Sequence, residues 1–187
     1  MKVERLAISE VVLITPPRFG DARGFFSETY NYPRLKAETG IELAFVQDNH
    51  SFSRERGVVR GLHCQLGPHE QGKLLRCSKG AIYDVAVDAR TGSPTYGKWV
   101  GAELTGDNWS QLWIPPGFLH GFCTLTDDVE VMYKCTDVWD KASERAVLWN
   151  CPEIGIDWPI KQDEAILSDK DKVAPPFSAA AGWFQYP

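Results

Sequence analysis

No stretch of this chain approaches the roughly 20 consecutive apolar residues that a membrane-spanning helix needs. Internal repeats, low-complexity tracts and CxxC pairs are all missing. Cysteine is sparse, and its five positions (Cys64, Cys77, Cys123, Cys135 and Cys151) are odd in number and widely spaced, unlike a disulfide framework or a zinc ribbon. Four of them fall in strand-like runs, where a free cysteine behaves as a small buried hydrophobe. The opening residues, MKVERLAISEVVLITPP, set Glu4 and Glu10 among the apolar positions and lack a signal-peptide core. An excess of positive charge is missing too. The net charge of -5 argues against nucleic acid or an anionic membrane as the main partner, while leaving room for a local cationic pocket that takes an anionic small molecule. A reducing cytoplasm is the expected location.

What the chain does have is strands. At 187 residues it suits one domain, 1–187, with a core over about 40–150 and a tail over 158–187. Strand-like runs are expected at 11–14, 45–50, 58–65, 73–77, 81–87, 97–104, 111–114, 121–125 and 129–136. Turn chemistry separates them, as at Lys79-Gly80, Thr91-Gly92-Ser93-Pro94 and Pro115-Pro116-Gly117. One early helix is predicted over 32–39, closed by Gly40. Short strands at such spacing predict a mainly β sandwich or barrel of jelly-roll type. The tail is expected to hold short helical turns, with its proline-rich end draped on the surface.

Polar residues in the wrong places mark a candidate site. Alternation places Lys73 on one face with Leu75 and Cys77, and Tyr133 with Val129, Val131 and Cys135. An ammonium and a phenol turned into an apolar interior need a partner or a job. Lys73 could instead snorkel to water, and Tyr133 could be a core aromatic bonded to a carbonyl. His63 is expected to share a face with Val59 and Gln65, after Gly57 and Gly61; its alternative is a core histidine satisfied by one carbonyl. Strict alternation puts Arg60 on the opposite face from His63, a conflict that a bulge near Gly61 would remove. Gln47 and Asn49 crowd the same polar stretch. Arg23 and Glu28 flank Gly24-Phe25-Phe26, either as a solvated salt bridge or as a clamp for a polar ligand. Trp139 either packs on the sheet or offers a face for stacking. Asp169 and Asp171, in LSDKDK, read by themselves as a solvated charge run.

His63, Glu70 and His120 resemble the ligand positions of the two cupin motifs. Gln65 stands where cupins carry the second histidine of a His-x-His pair. A neutral amide in place of an imidazole weakens a transition-metal site, so no metal is expected.

Several longer strings carry a closer likeness: FGDARGFFSE, FVQDNHS, GVVRGLHCQ, QGKLLRC, YDVAVDAR, LWIPPGFLHGF, Tyr133-Lys134, GIDWP and LSDKD. Together they run from Phe19 to Asp171 and resemble the dTDP-4-dehydrorhamnose 3,5-epimerase family, the cupin-fold sugar-nucleotide epimerases. The resemblance implies a cupin-type jelly roll (a double-stranded β-helix). It also implies inversion at C3 and C5 of a dTDP-linked 4-keto-6-deoxyhexose, with no metal or organic cofactor. It casts His63 as general base, Asp171 as the carboxylate that supports it, Lys73 as stabiliser of the C4 oxyanion and Tyr133 as acid on the opposite face. His120, Arg60, Gln47 and Asn49 fall at substrate-binding positions, with Glu144 and Lys170. Trp139 falls where an aromatic residue stacks on thymine. Homodimers are implied, with N-terminal strands exchanged so that Arg23, Phe26 and Glu28 complete the neighbour's site. Single-carbon epimerases share much of this pattern and are the first alternative. A metal-dependent cupin oxygenase using His63, Glu70 and His120 is a second, and a non-catalytic sugar-nucleotide binding module a third.

Overall fold

The computed structural model describes residues 1–187. Two antiparallel sheets face each other. The first has six strands in the order β1 (Lys2–Arg5), β2 (Val12–Thr15), β11 (Gln111–Ile114), β7 (Lys73–Lys79), β13 (Val129–Cys135) and β5 (Gln47–Ser53). The second has five: β10 (Trp99–Thr105), β8 (Ala81–Asp88), β12 (Phe118–Thr124), β6 (Val59–Gln65) and β14 (Glu144–Ala146). Hairpin β3 (Phe19–Asp21) and β4 (Gly24–Phe26) forms a sheet of its own, and β9 (Arg90–Thr91) pairs with β15 (Phe184–Gln185). This is a mainly β, cupin-type jelly roll, as expected.

Period-two patterning decides what lies between the sheets. Leu75, Cys77, Leu112, Val129 and Val131 meet Ile82, Ala86, Leu104, Phe118 and Phe122 in the largest core cluster. The opposite face of β8, with Val85 and Val87, packs outward against Cys151, Ile154, Phe177, Ala180 and Phe184. The core therefore extends well past 40–150. The proline-rich end of the tail does run along the surface, with Val173, Pro175 and Pro176 exposed, but it is anchored there: Phe177 and Phe184 sink into the apolar back of the five-stranded sheet, which would otherwise face water.

Helix α1 (Tyr32–Thr39) forms where expected. Asn31 caps its start by accepting from the Arg34 N–H, and Gly40 closes it at φ 79°. It lays Leu35 on the outer face of the six-stranded sheet, over Val12, Leu74 and Trp113. In the segment expected to cross to a neighbour, β1 pairs with β2, and β2 pairs with β11 of the same chain.

The decisive irregularity lies between β6 and β12. His63 pairs with His120, but Arg60 pairs with Phe122, so three steps on β6 match two on β12. That bulge turns Arg60 onto the same inner face as His63 and removes the conflict posed by strict alternation. It also sends Val59 to the outer face with Cys123 and Trp149, not beside His63 as alternation predicted. Gly61, at φ 127°, permits the close approach: a Cβ there would lie 2.5 Å from Gly121 Cα and 2.7 Å from the His120 carbonyl oxygen. Gly61→Ala is therefore expected to cost about 1–3 kcal/mol, read as a lower urea midpoint; a variant as stable as the parent would show that the strands tolerate separation.

Candidate active site

The bulged strand and its neighbours open into a cavity of about 500 Å³ between the sheets. The five-stranded sheet contributes Arg60, His63, His120 and Glu144, and the six-stranded sheet faces them with Ser51, Lys73 and Tyr133. An adjoining cavity of about 330 Å³ shares His63, Lys73, Tyr133, Trp139 and Glu144 and adds Gln47 and Asn49. The two form one cleft. Pairing explains the cluster: β13 sets Tyr133 opposite Asn49 on one side, and Cys135 opposite Lys73 on the other.

His63 is not satisfied by a carbonyl. Its Nε2 lies 2.6 Å from Asp171 Oδ1, and its Nδ1 makes no hydrogen bond within the chain. The carboxylate accepts only, so Nε2 carries the hydrogen of that bond and Nδ1 is left without a partner in the chain. Asp171 is far from a solvated charge, being 2% exposed, whereas its neighbour Asp169 is exposed. A short helical turn, α2 (Asp169–Lys172), points it inward; Ser168 caps that turn and donates from Oγ to Asp171 Oδ2 at 2.8 Å. Burial alone would raise the Asp171 carboxyl, but the His63 and Ser168 hydrogen bonds outweigh it and hold the group below the ordinary carboxylate value.

Lys73 Nζ has neither a hydrogen bond nor an ion pair in the chain. Burial pulls it below the ordinary lysine value, against smaller opposing effects from Cys135, Cys64 and Asp84. Burial likewise pushes the Tyr133 phenol up, so it stays protonated. The cleft thus holds a free imidazole nitrogen, an unpartnered ammonium and a protonated phenol, drawn from opposing walls.

The remaining polar residues build the mouth. Gln47 accepts from the Trp139 N–H at 2.7 Å and donates to Asn49 at 3.2 Å, which holds the half-exposed indole at the rim. Arg60 anchors on Ser53 at 3.3 Å and the Phe52 carbonyl at 3.1 Å. Glu144 on β14 and Lys170 on α2 pair at 2.7 Å. Gln65, at the cupin ligand position, spends its amide on structure: it donates to the His69 and Val138 carbonyls and accepts from the Asp140 N–H.

Arg23, Phe26 and Glu28 do not reach the cavity of their own chain. Arg23 lies out on the β3–β4 hairpin, bound to Asp21 at 2.6 Å, and Phe26 on the same hairpin is 69% exposed. Glu28 borders a small separate cavity near Tyr30 and Arg34. One member of the site escaped the sequence reading altogether. Asp84, wholly buried on β8, holds His120 Nε2 at 2.9 Å. Its signal was present: in the alternation it shares a face with Ile82 and Ala86, the same cue that singled out Lys73.

The dTDP-4-dehydrorhamnose 3,5-epimerase family model matches residues 5–179. The chain belongs to that family. A dTDP-4-dehydrorhamnose 3,5-epimerase of Pseudomonas aeruginosa is 51% identical over 180 residues, covering 96% of this chain and 98% of that protein. A crystal structure of dTDP-6-deoxy-D-glucose-3,5-epimerase from Legionella pneumophila Philadelphia 1, in complex with dTDP-4-keto-L-rhamnose, superposes with a TM-score of 0.94 at 42% identity, over 100% of this chain and 98% of that one. A dTDP-4-dehydrorhamnose 3-epimerase of Streptomyces niveus is 38% identical over 174 residues, 93% of this chain and 83% of that protein. The likeness to the double epimerases is the stronger.

The Asp171 shift has a thermodynamic consequence. A carboxyl depressed in the folded state adds stability that is fully present above its unfolded pKa of about 4 and is lost as pH falls through the folded value. Asp171→Asn should therefore lower the urea midpoint most at neutral pH. The gap to the parent should close in acid below about pH 4, and a gap that holds constant through that range would refute the pairing.

Proposed function

We propose that this chain epimerises dTDP-4-dehydro-6-deoxy-D-glucose at C3 and C5 to dTDP-4-dehydro-L-rhamnose, the inversion step of dTDP-L-rhamnose biosynthesis. One observation supports the reading above the rest: His63 and Tyr133 project from opposing sheets into one cavity, with Lys73 beside them. Inversion needs that arrangement. A proton leaves one face of the sugar ring and another arrives on the opposite face, whereas a single group on one face would only exchange it.

Both reacting carbons lie α to the C4 ketone, so each proton is removable once the enolate is stabilised. His63 Nδ1 takes the proton as general base while Asp171 supports the resulting imidazolium. Lys73 holds the developing C4 oxyanion; a preorganised, unpaired donor in a dry site contributes roughly 3–4 kcal/mol. Tyr133 delivers a proton to the other face. Arg60 and Lys170 suit the diphosphate, Gln47, Asn49 and Glu144 suit polar groups of the nucleotide sugar, and Trp139 suits the thymine ring. His120 completes the sugar pocket. No metal or organic cofactor is required, and the structural use of Gln65 supports that.

We further infer a homodimer in which a second copy supplies Arg23, Phe26 and Glu28. Phe19 and Phe25, which accompany Phe26 on the hairpin, are also exposed, and a second copy would cover all three. A cytoplasmic location agrees with the five free cysteines, all buried. No helix of the chain is long and apolar enough to cross a membrane.

Incubation with the 4-keto sugar nucleotide in deuterated water tests the activity. Label should enter at both C3 and C5; label at one carbon alone would assign the chain to the single-carbon epimerases, and none would refute epimerisation. His63→Ala should slow exchange about 100-fold or more. Tyr133→Phe should keep part of the exchange yet lose inverted product, and normal product formation would remove the phenol from its role.

A further inference from the structure

The site contains a second histidine–carboxylate pair, His120 and Asp84, whose carboxylate the epimerisation chemistry above leaves without a role. His120 and His63 are cross-strand partners on β12 and β6, so both imidazoles enter the cleft from one wall. Behind His120 stands Asp84, with no exposed surface, on the strand next to β12. Asp84 Oδ1 accepts from His120 Nε2 at 2.9 Å, while its Oδ2 is buried with no partner. A carboxylate buried at that cost needs a reason. It is placed as Asp171 is placed behind His63, but it serves an imidazole flanked by a cation and by another histidine.

We propose that Asp84 is a positioning residue that fixes the proton of His120 on Nε2, so that Nδ1 faces the sugar as a hydrogen-bond acceptor for a hydroxyl beside the reacting carbons. This deepens the epimerase reading and rests on it for the identity of the ligand. Three features of the geometry converge. An ionised carboxylate accepts only, so the bonded nitrogen must carry the hydrogen. The surroundings disfavour a second proton: burial lowers the His120 value, Asp84 opposes that, and Lys73 and His63 lower it further. A neutral imidazole so held offers the cleft a lone pair and no donor. The C4 oxygen, which needs donors, is then left to Lys73, and the partner chemically suited to His120 is a hydroxyl. The substrate class narrows accordingly to 4-keto sugars that keep a hydroxyl next to the carbon being inverted, because an apolar analogue would leave Nδ1 buried and unpaired.

The test has one arm that does not depend on turnover. Nitrogen-15 NMR of the intact protein at neutral pH should show His120 with Nε2 protonated and Nδ1 bare; an Nδ1–H tautomer or an imidazolium would overturn the proposal. The second arm compares deuterium exchange at C5 in the 4-keto sugar nucleotide and in its 2-deoxy and 3-deoxy analogues. The parent should prefer the hydroxylated sugar to at least one analogue by about tenfold or more. Asp84→Asn and His120→Ala should shrink that preference to within about threefold. His120→Gln, whose amide oxygen still accepts, should retain it if the role is acceptance from a hydroxyl. A purely structural role would lower exchange with all the sugars alike and leave the ratio unchanged, which would overturn the proposal. Should Asp84→Asn fail to fold, the His120 pair of variants carries the comparison. Absence of exchange in the parent would refute epimerisation itself, and the NMR arm would still decide the tautomer.

Discussion

The hydrogen bond between His63 and Asp171 joins residues 108 positions apart, and the arrangement of the cleft follows from it. One end sits on a strand in the middle of the fold, the other on a single helical turn near the end of the chain. A turn of four residues has no stability of its own. It persists because the segments around it are tied down. Ile166 exchanges backbone hydrogen bonds with Gly57 and Val59, Lys170 pairs with Glu144, and Phe177 and Phe184 are buried behind the five-stranded sheet. The packing of the tail is thus a condition for Asp171 to reach His63.

The charges in the cleft obey a simple division. Each histidine is backed by a buried carboxylate, which determines where its proton lies. Lys73 and Tyr133, on the other wall, are backed by nothing, and burial moves each away from its ordinary value. In the proposed reaction the held groups serve as base and acceptor, and the free groups as donors. A polyhydroxylated ketone has the complementary groups, with acidic carbon-bound protons and hydroxyls toward one wall and a carbonyl oxygen toward the other. The desolvation cost of the unpaired donors is what makes them effective when an oxyanion forms. At the position where cupins carry the second histidine of a pair, the amide of Gln65 is consumed in holding the loop that carries Trp139.

Much of this was legible in the chain. The strands at 73–77, 81–87 and 111–114 fall almost where the sequence set them, because each is a short run rich in apolar residues bounded by turn residues. Lys73 and Tyr133 were exposed as anomalies by alternation. Short pairings such as Glu144–Ala146 and Phe184–Gln185 left no such trace, since two or three residues cannot display a period. Asp171 read as a solvated charge until the family resemblance marked it, because its burial is imposed by residues distant in sequence.

By itself the sequence determined the jelly-roll class, the early helix with its caps, the family and most of the polar residues of the cleft. These are matters of local pattern: side-chain periodicity, turn residues and the identity of short strings. Only the tertiary structure decided that Arg60 and His63 share a face, that Val59 does not, that Asp84 stands behind His120, and that Arg23, Phe26 and Glu28 lie away from the cavity of their own chain. Each of those depends on register between strands or on packing between distant segments. A one-residue bulge reverses every facing assignment beyond it, and no periodicity along a single strand can reveal where its neighbour has slipped.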